Sequence, residues 1–112
     1  MKEFKDLDFP KQLVVELTTA CNLKCIMCGR PKMKRPKGNM NFALFKKIVD
    51  EVAIENPYTE VWVAFMGESL LLKDRLYRMI KYAKRQGLKW VTLNSNATYL
   101  NNEAIEGLID SG

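Results

Sequence analysis

All three cysteines of this chain fall in one short stretch, Cys21-Asn22-Leu23-Lys24-Cys25-Ile26-Met27-Cys28. The spacing C-x-x-x-C-x-x-C brings three thiols onto one loop, and soft thiolate ligands select zinc, copper(I) or iron–sulfur clusters. A structural zinc site needs a fourth ligand to close its tetrahedron, and the sequence has neither a fourth cysteine nor any histidine. Ordinary electron-transfer clusters likewise use four cysteines. A cubane held by three cysteines leaves one iron without a protein thiolate, free to bind and activate a ligand, which suits chemistry better than storage of an electron. Cysteines packed merely as small hydrophobes would have no reason to gather in a polar, lysine-containing loop.

Composition removes most other chemistry. Without histidine there is no His-based general acid or base, no Ser/His/Asp or Cys/His nucleophile, and no common zinc site except one of cysteine and carboxylate. Three crowded cysteines are unlike the even, dispersed framework of a small secreted protein and fit a reducing compartment. No apolar run approaches the roughly 20 residues needed to span a bilayer. The start Met1-Lys2-Glu3-Phe4-Lys5-Asp6 lacks the apolar stretch of a signal peptide. The expectation is a soluble, cytoplasmic protein with no membrane partner. Its 112 residues, 47% hydrophobic, suffice for one domain with a core.

Net charge is +5, and Arg30, Lys32, Lys34, Arg35 and Lys37 lie close together. Such a cluster could meet a phosphate, a carboxylate or nucleic acid; the blander reading is a solvated loop held open by Pro31 and Pro36. Interleaving with prolines rather than aromatics, and the lack of a recognition-helix pattern, argue against nucleic acid.

The elements that must position the cysteines follow from periodicity. Residues 1–11 are a charged lead-in. Residues 12–18 (QLVVELT) form an apolar, branched run of strand length leading directly to Cys21. Residues 21–40 have no period and read as a long functional loop. Asn41 is an N-cap candidate for a helix reaching about residue 54, with Phe42, Phe45, Ile48, Val49 and Val52 at helical spacing. Asn56-Pro57 stops it. Residues 60–66 (EVWVAFM) form a second strand closed by Gly67-Glu68-Ser69. A second helix spans roughly 73–85, with Leu72, Leu76, Met79, Ile80 and Ala83 on one face and Gly87 at its end. Residues 89–93 (KWVTL) are a third strand, ending in Asn94-Ser95-Asn96. Asn101 or Asn102 opens a third helix with Ile105, Leu108 and Ile109, cut off at Ser111-Gly112.

The order β-α-β-α-β-α over residues 12–112 predicts an α/β fold with a parallel sheet and right-handed crossovers. Each strand is followed by a polar or cysteine-bearing stretch, and in parallel α/β folds those ends lie on one side of the sheet, where ligands bind. Three loops distant in sequence can thus form one site.

Thr18-Thr19-Ala20-Cys21-Asn22-Leu23-Lys24-Cys25-Ile26-Met27-Cys28 resembles the cluster motif of the radical S-adenosylmethionine (radical SAM) enzymes. The resemblance implies that Cys21, Cys25 and Cys28 hold a [4Fe–4S] cluster whose fourth iron is chelated by S-adenosylmethionine. An electron from the reduced cluster would cleave the sulfonium to a 5′-deoxyadenosyl radical, which abstracts hydrogen from a substrate. It also implies an external electron donor such as flavodoxin or ferredoxin. Gly67-Glu68-Ser69-Leu70-Leu71 resembles the family's G-E-P-L-L segment, which assigns Gly67, Glu68 and Ser69 to the cofactor. A carboxylate at Glu68 would face the ammonium in a charge-assisted hydrogen bond. Asn94-Ser95-Asn96-Ala97-Thr98 resembles the T-N-G or T-N-A segment and adds Ser95. Met27 stands where the family often has an aromatic, so a thioether would meet the adenine face. Ser69 replaces the usual proline, which should loosen the turn presenting Glu68.

Family members build a partial (β/α)6 TIM-like barrel, and three βα units are about half of it. Residues 1–112 therefore read as the N-terminal portion of a radical SAM core domain, with an ending that resembles an interruption before a fourth strand. An incomplete sheet edge would favour self-association. The substrate is not legible. The alternative is a small cysteine-ligated metal-binding or redox module without S-adenosylmethionine chemistry.

Overall fold

The computed structural model describes residues 8–112; the first seven residues of the expected lead-in lie outside the described residues. Three strands, β1 (Gln12–Val14), β2 (Glu60–Trp62) and β3 (Trp90–Thr92), form one sheet in the order β1-β2-β3. Both pairings are parallel, in a register that aligns Leu13 with Val61 and Val91, and Gln12 with Glu60 and Trp90. Helices α1 (Phe42–Glu55) and α2 (Asp74–Arg85) carry the chain from strand to strand, and α3 (Asn102–Ser111) follows β3. The expected βαβαβα order and parallel sheet are present.

The strands alternate as a half-covered sheet must. Val15, Leu17, Val61 and Val63 are buried against the helices, while Val14, Trp90 and the flanking Phe65 stand exposed. The core is completed by Phe45, Val49 and Val52 of α1 and by Leu76, Met79, Ile80 and Ala83 of α2. These fall at the three- and four-residue steps that put side chains on one helix face, and burying each large one stabilises the fold by roughly 1.5–3 kcal/mol.

Local chemistry sets the helix ends. Asn41 Oδ1 accepts the Ala43 N–H at 2.6 Å, and Asn101 Oδ1 accepts the Ala104 N–H at 2.9 Å; both satisfy first-turn donors that a helix leaves free. At the other end of α1, Pro57 cannot extend the helix. Helix α3 approaches α2 closely because Gly107 lacks a side chain: a Cβ there would stand 2.5 Å from Tyr77 Cε2.

Two expectations are revised. The ladder of each strand is shorter than its apolar run: after Val14, Val15 and Leu17 stay buried, but the partner groups change. Val15 N–H still reaches Trp62 O at 2.7 Å, whereas Glu16 takes the Met66 N–H through its side chain and Thr18 leaves the sheet to bridge Asn39. On α3, Ile105 and Ile109 are exposed and Ala104 and Ser111 are buried. The face turned to α2 is the one with small residues, because the close approach at Gly107 has no room for isoleucine.

Candidate radical SAM site

The cysteine loop leaves the end of β1 and returns beside it. Thr18 Oγ1 donates to Asn39 Oδ1 at 2.6 Å, and Met40 N–H donates to Leu17 O at 2.7 Å. Thr19 Oγ1 accepts the Gly38 N–H at 2.8 Å and donates to Gly38 O at 3.2 Å. These bonds close residues 20–37 into a loop whose two ends are fixed to buried threonines. Inside it Cys28 N–H turns back to Cys25 O at 3.1 Å, and Arg30 Nη2 donates to Leu23 O at 3.3 Å. Cys21 and Cys28 are half-buried, Cys25 is exposed, and all three are free thiols. Ile26 and Met27 project into solvent.

The basic segment is anchored in turn. Arg35 Nη1 pairs with Glu16 Oε1 at 2.5 Å, and Glu16 Oε2 accepts the Met66 N–H at 3.0 Å. The guanidinium, together with that N–H, holds the Glu16 carboxyl below the usual carboxylate range against the opposing effect of burial. Glu16 therefore ties the end of β1, the segment after β2 and the basic strap together.

After β2 the chain passes so close to the cysteine loop that only glycine fits at position 67. A Cβ would overlap the Thr18 carbonyl oxygen and lie 2.7 Å from Ala20 O. The same approach lets Glu68 N–H donate to Ala20 O at 2.7 Å. Glu68 itself is 3% exposed, and a buried carboxylate needs partners. It has them from the loop after β3: Ser95 Oγ donates to Oε1 at 2.5 Å and Asn96 N–H to Oε2 at 3.0 Å. Two of the roughly four acceptor sites of a carboxylate are thus used.

The remaining expected site residues divide. Ser69 is buried and its hydroxyl donates to Val63 O at 2.6 Å, so it pins the turn below Glu68 where loosening was expected. Gly67, Glu68 and Ser95 line an open cavity of about 340 Å³ with Val14, Trp62, Ala64 and Asn94, a volume within the range of small-molecule sites. Met27 and Ser69 do not line it. Asn96 does, and it also reaches the cysteine loop: its Nδ2 donates to Asn22 Oδ1 at 3.1 Å and lies 3.8 Å from Cys21 Sγ. The sequence does not distinguish Asn96 from its neighbour Ser95, since a polar turn of Asn, Ser and Asn does not reveal which side chain spans to the thiol.

Among the described residues no three Cys, Asp or Glu side chains are gathered tightly enough to hold a single metal ion. A cubane separates its thiolates more widely than one ion does. Three free thiols on one loop, beside a fixed carboxylate and a backbone bared at Gly67, are a donor set of the soft kind that iron–sulfur clusters use.

A family model described as the radical SAM superfamily matches residues 15–112, and the chain belongs to that superfamily. It is 28% identical over 102 residues to a tungsten-containing aldehyde ferredoxin oxidoreductase cofactor-modifying protein of Pyrococcus furiosus, covering 91% of this chain and 28% of that protein. It is 33% identical over 105 residues to an AdoMet-dependent heme synthase of Methanosarcina barkeri, covering 92% of this chain and 29% of the relative. The chain thus spans under a third of the length of these curated relatives. The crystal structure of BtrN in complex with AdoMet and 2-DOIA shares its fold with a TM-score of 0.82 at 23% identity, covering 95% of this chain and 44% of that one. The three βα units therefore match part of a radical SAM TIM-barrel-like fold. No described helix is long and apolar enough to cross a membrane.

Proposed function

We propose that Cys21, Cys25 and Cys28 ligate a [4Fe–4S] cluster and that S-adenosylmethionine binds in the adjoining cavity, its amino group received by Glu68. The observation that carries this reading is the buried Glu68 carboxylate, fixed by Ser95 and Asn96 beside a loop of three free thiols. Its charge and its unused acceptor sites suit an ammonium. Gly67 leaves backbone accessible at the cavity wall, and Ser95 holds the acid rather than the ligand. The exposed Met27 thioether can fold over an adenine from the rim. When bound, cluster and cofactor together supply reductive cleavage of the sulfonium to a 5′-deoxyadenosyl radical that takes hydrogen from a substrate.

Residues 1–112 are read as the N-terminal portion of a larger radical SAM core domain. The uncovered face of the sheet, with Val14, Phe65 and Trp90 exposed, is what further βα units would cover, and it is also a surface through which isolated copies of this chain would associate. An electron donor with an acidic face, such as flavodoxin or ferredoxin, suits the exposed Lys32, Lys34 and Lys37 beside the cysteine loop.

The test is anaerobic reconstitution with iron and sulfide, followed by electron paramagnetic resonance of the reduced protein with and without S-adenosylmethionine. The expected result is a cluster signal that changes on adding the cofactor. A signal indifferent to it would instead indicate a cysteine-ligated redox or metal-binding module.

A further inference from the structure

Asn96 touches both halves of the site. Its backbone N–H holds Glu68, and its carboxamide lies between Asn22 and the sulfur of Cys21. The orientation of that carboxamide follows from its neighbours. Oδ1 accepts the Thr98 N–H at 3.0 Å, and a backbone amide can only donate, so the oxygen faces Thr98 and the NH2 faces Cys21.

The hydroxyl of Thr98 completes a ring. It accepts from Asn22 Nδ2 at 2.8 Å and donates to Asn96 Oδ1 at 2.8 Å, and Asn96 Nδ2 donates back to Asn22 Oδ1 at 3.1 Å. All three bonds run in one sense, so each polarises the next. The NH2 group of Asn96 has two hydrogens; one closes the ring and the other is left for Cys21 Sγ, 3.8 Å from Nδ2. Leu23 N–H approaches the same sulfur at 3.5 Å. Among the described residues, Cys25 Sγ and Cys28 Sγ accept no hydrogen bond.

We infer that Asn96 is a positioning residue that raises the reduction potential of the cluster by donating its side-chain N–H to Cys21 Sγ, with Asn22 and Thr98 holding that donor in place. This rests on the cluster reading above. One-electron reduction adds negative charge to the cluster and its sulfurs, and a donor binds the more negative state more strongly, so hydrogen bonds to the sulfurs move the potential. The step is the uptake of one electron from an added low-potential reductant; no bond forms or breaks and no proton is transferred.

The experiment is a redox titration of the reconstituted full chain, monitored by electron paramagnetic resonance. Asn96→Ala is expected to lower the midpoint so that the reduced-to-oxidised ratio at a fixed potential falls about tenfold, or about 59 mV for a one-electron couple. Asn96→Asp keeps the acceptor for Thr98 but sets a negative charge by the sulfur, and should lower the midpoint further. Thr98→Val keeps the backbone donor and breaks the ring, so a smaller fall is expected. An unchanged midpoint in Asn96→Ala with full iron loading overturns the inference while leaving the cluster reading intact. Should Asn96→Ala not assemble, Thr98→Val and Asn22→Ala decide in its place: a fall supports the inference and an unchanged midpoint overturns it. Failure of the wild-type chain to take up iron and sulfide would overturn the cluster reading itself, and the inference with it.

Discussion

Gly67 lies against Thr18 so closely that a Cβ at position 67 would overlap the threonine carbonyl oxygen. The obstacle is backbone, and no rotamer can relieve it. Gly67→Ala should therefore separate the cysteine loop from the segment after β2, break the Glu68 N–H bond to Ala20 O, and destabilise the fold by about 2–3 kcal/mol, at the upper end of overpacking costs. A urea titration measures this as a lower midpoint with an unchanged slope. An alanine variant as stable as the parent would mean that the loop and the acid are not held together here.

Acid should loosen the sheet at both ends of its strands. Glu16 is kept below the ordinary carboxylate range chiefly by Arg35, and Glu60 chiefly by the Gln12 amide, with the Thr92 hydroxyl and the Trp62 indole assisting. Gln12 Nε2 and Thr92 Oγ1 both donate to Glu60 at 2.8 Å; the Trp62 indole N–H is buried without a well-formed bond yet is close enough to favour the ionised acid. A carboxyl whose pKa is lowered on folding contributes stability above its unfolded pKa, and that contribution is lost as pH falls through the lowered folded value. Stability should thus decline from roughly pH 5 downward, and Glu16→Gln should flatten part of that decline. Unfolding midpoints taken across the acid range test it. Because Arg35 is about half exposed and solvent screens the pair, Arg35→Ala at neutral pH should shift the unfolding midpoint only slightly.

Lys73 joins the turn that follows Glu68 to helix α2, and its backbone sits at φ 51°, ψ −122°. A side chain in such a conformation costs on the order of 1–3 kcal/mol, while glycine loses roughly 0.5–1 kcal/mol through the freedom of its unfolded chain. With the lysine exposed, Lys73→Gly should leave a net gain of about 1 kcal/mol. Thermal unfolding should shift upward by roughly 4–8 °C; a fall would show that the lysine side chain contributes more than its backbone costs.

Much of this arrangement is legible from residue types, for identifiable reasons. Phe45, Val49 and Val52, and likewise Leu76, Met79, Ile80 and Ala83, recur at a period that only a helix puts on one face, so both helices and their buried sides follow directly. Asn41 and Asn101 mark helix starts because their short side chains satisfy free N–H groups. Strand ends are less legible: Val15, Leu17 and Thr18 stay buried after the ladder stops, and what ends it is a tertiary event, the Thr18 bridge to Asn39. Helix α3 misleads for a similar reason. Isoleucines signal burial, but the packed face belongs to small residues near Gly107. In the site, Glu68 and Ser95 could be singled out by the segments around them. Asn96 could not, because its role depends on the left-handed turn at Ala97, φ 64°, and on where Cys21 lies across the gap.

Glu68 offers a way to separate folding from binding. Both donors on its carboxylate can accommodate glutamine: the amide oxygen can keep the Asn96 N–H, and the amide NH2 can donate to Ser95 Oγ, whose second lone pair is free while the first takes the Ala97 N–H at 2.9 Å. Glu68→Gln should therefore unfold within about 1 kcal/mol of the parent, whereas Glu68→Ala strands the Asn96 N–H and should cost about 1–3 kcal/mol. For S-adenosylmethionine the order differs. Both variants lose the negative charge, and a hydrogen bond to a charged group is worth roughly 1.5–3 kcal/mol, so each should weaken binding to the reconstituted protein about ten- to a hundredfold. Calorimetric titration of the two variants beside their unfolding curves provides the comparison. A glutamine variant that binds as tightly as the parent would make Glu68 a structural brace for the Ser95–Asn96 loop and send the search for the ammonium contact elsewhere in the cavity.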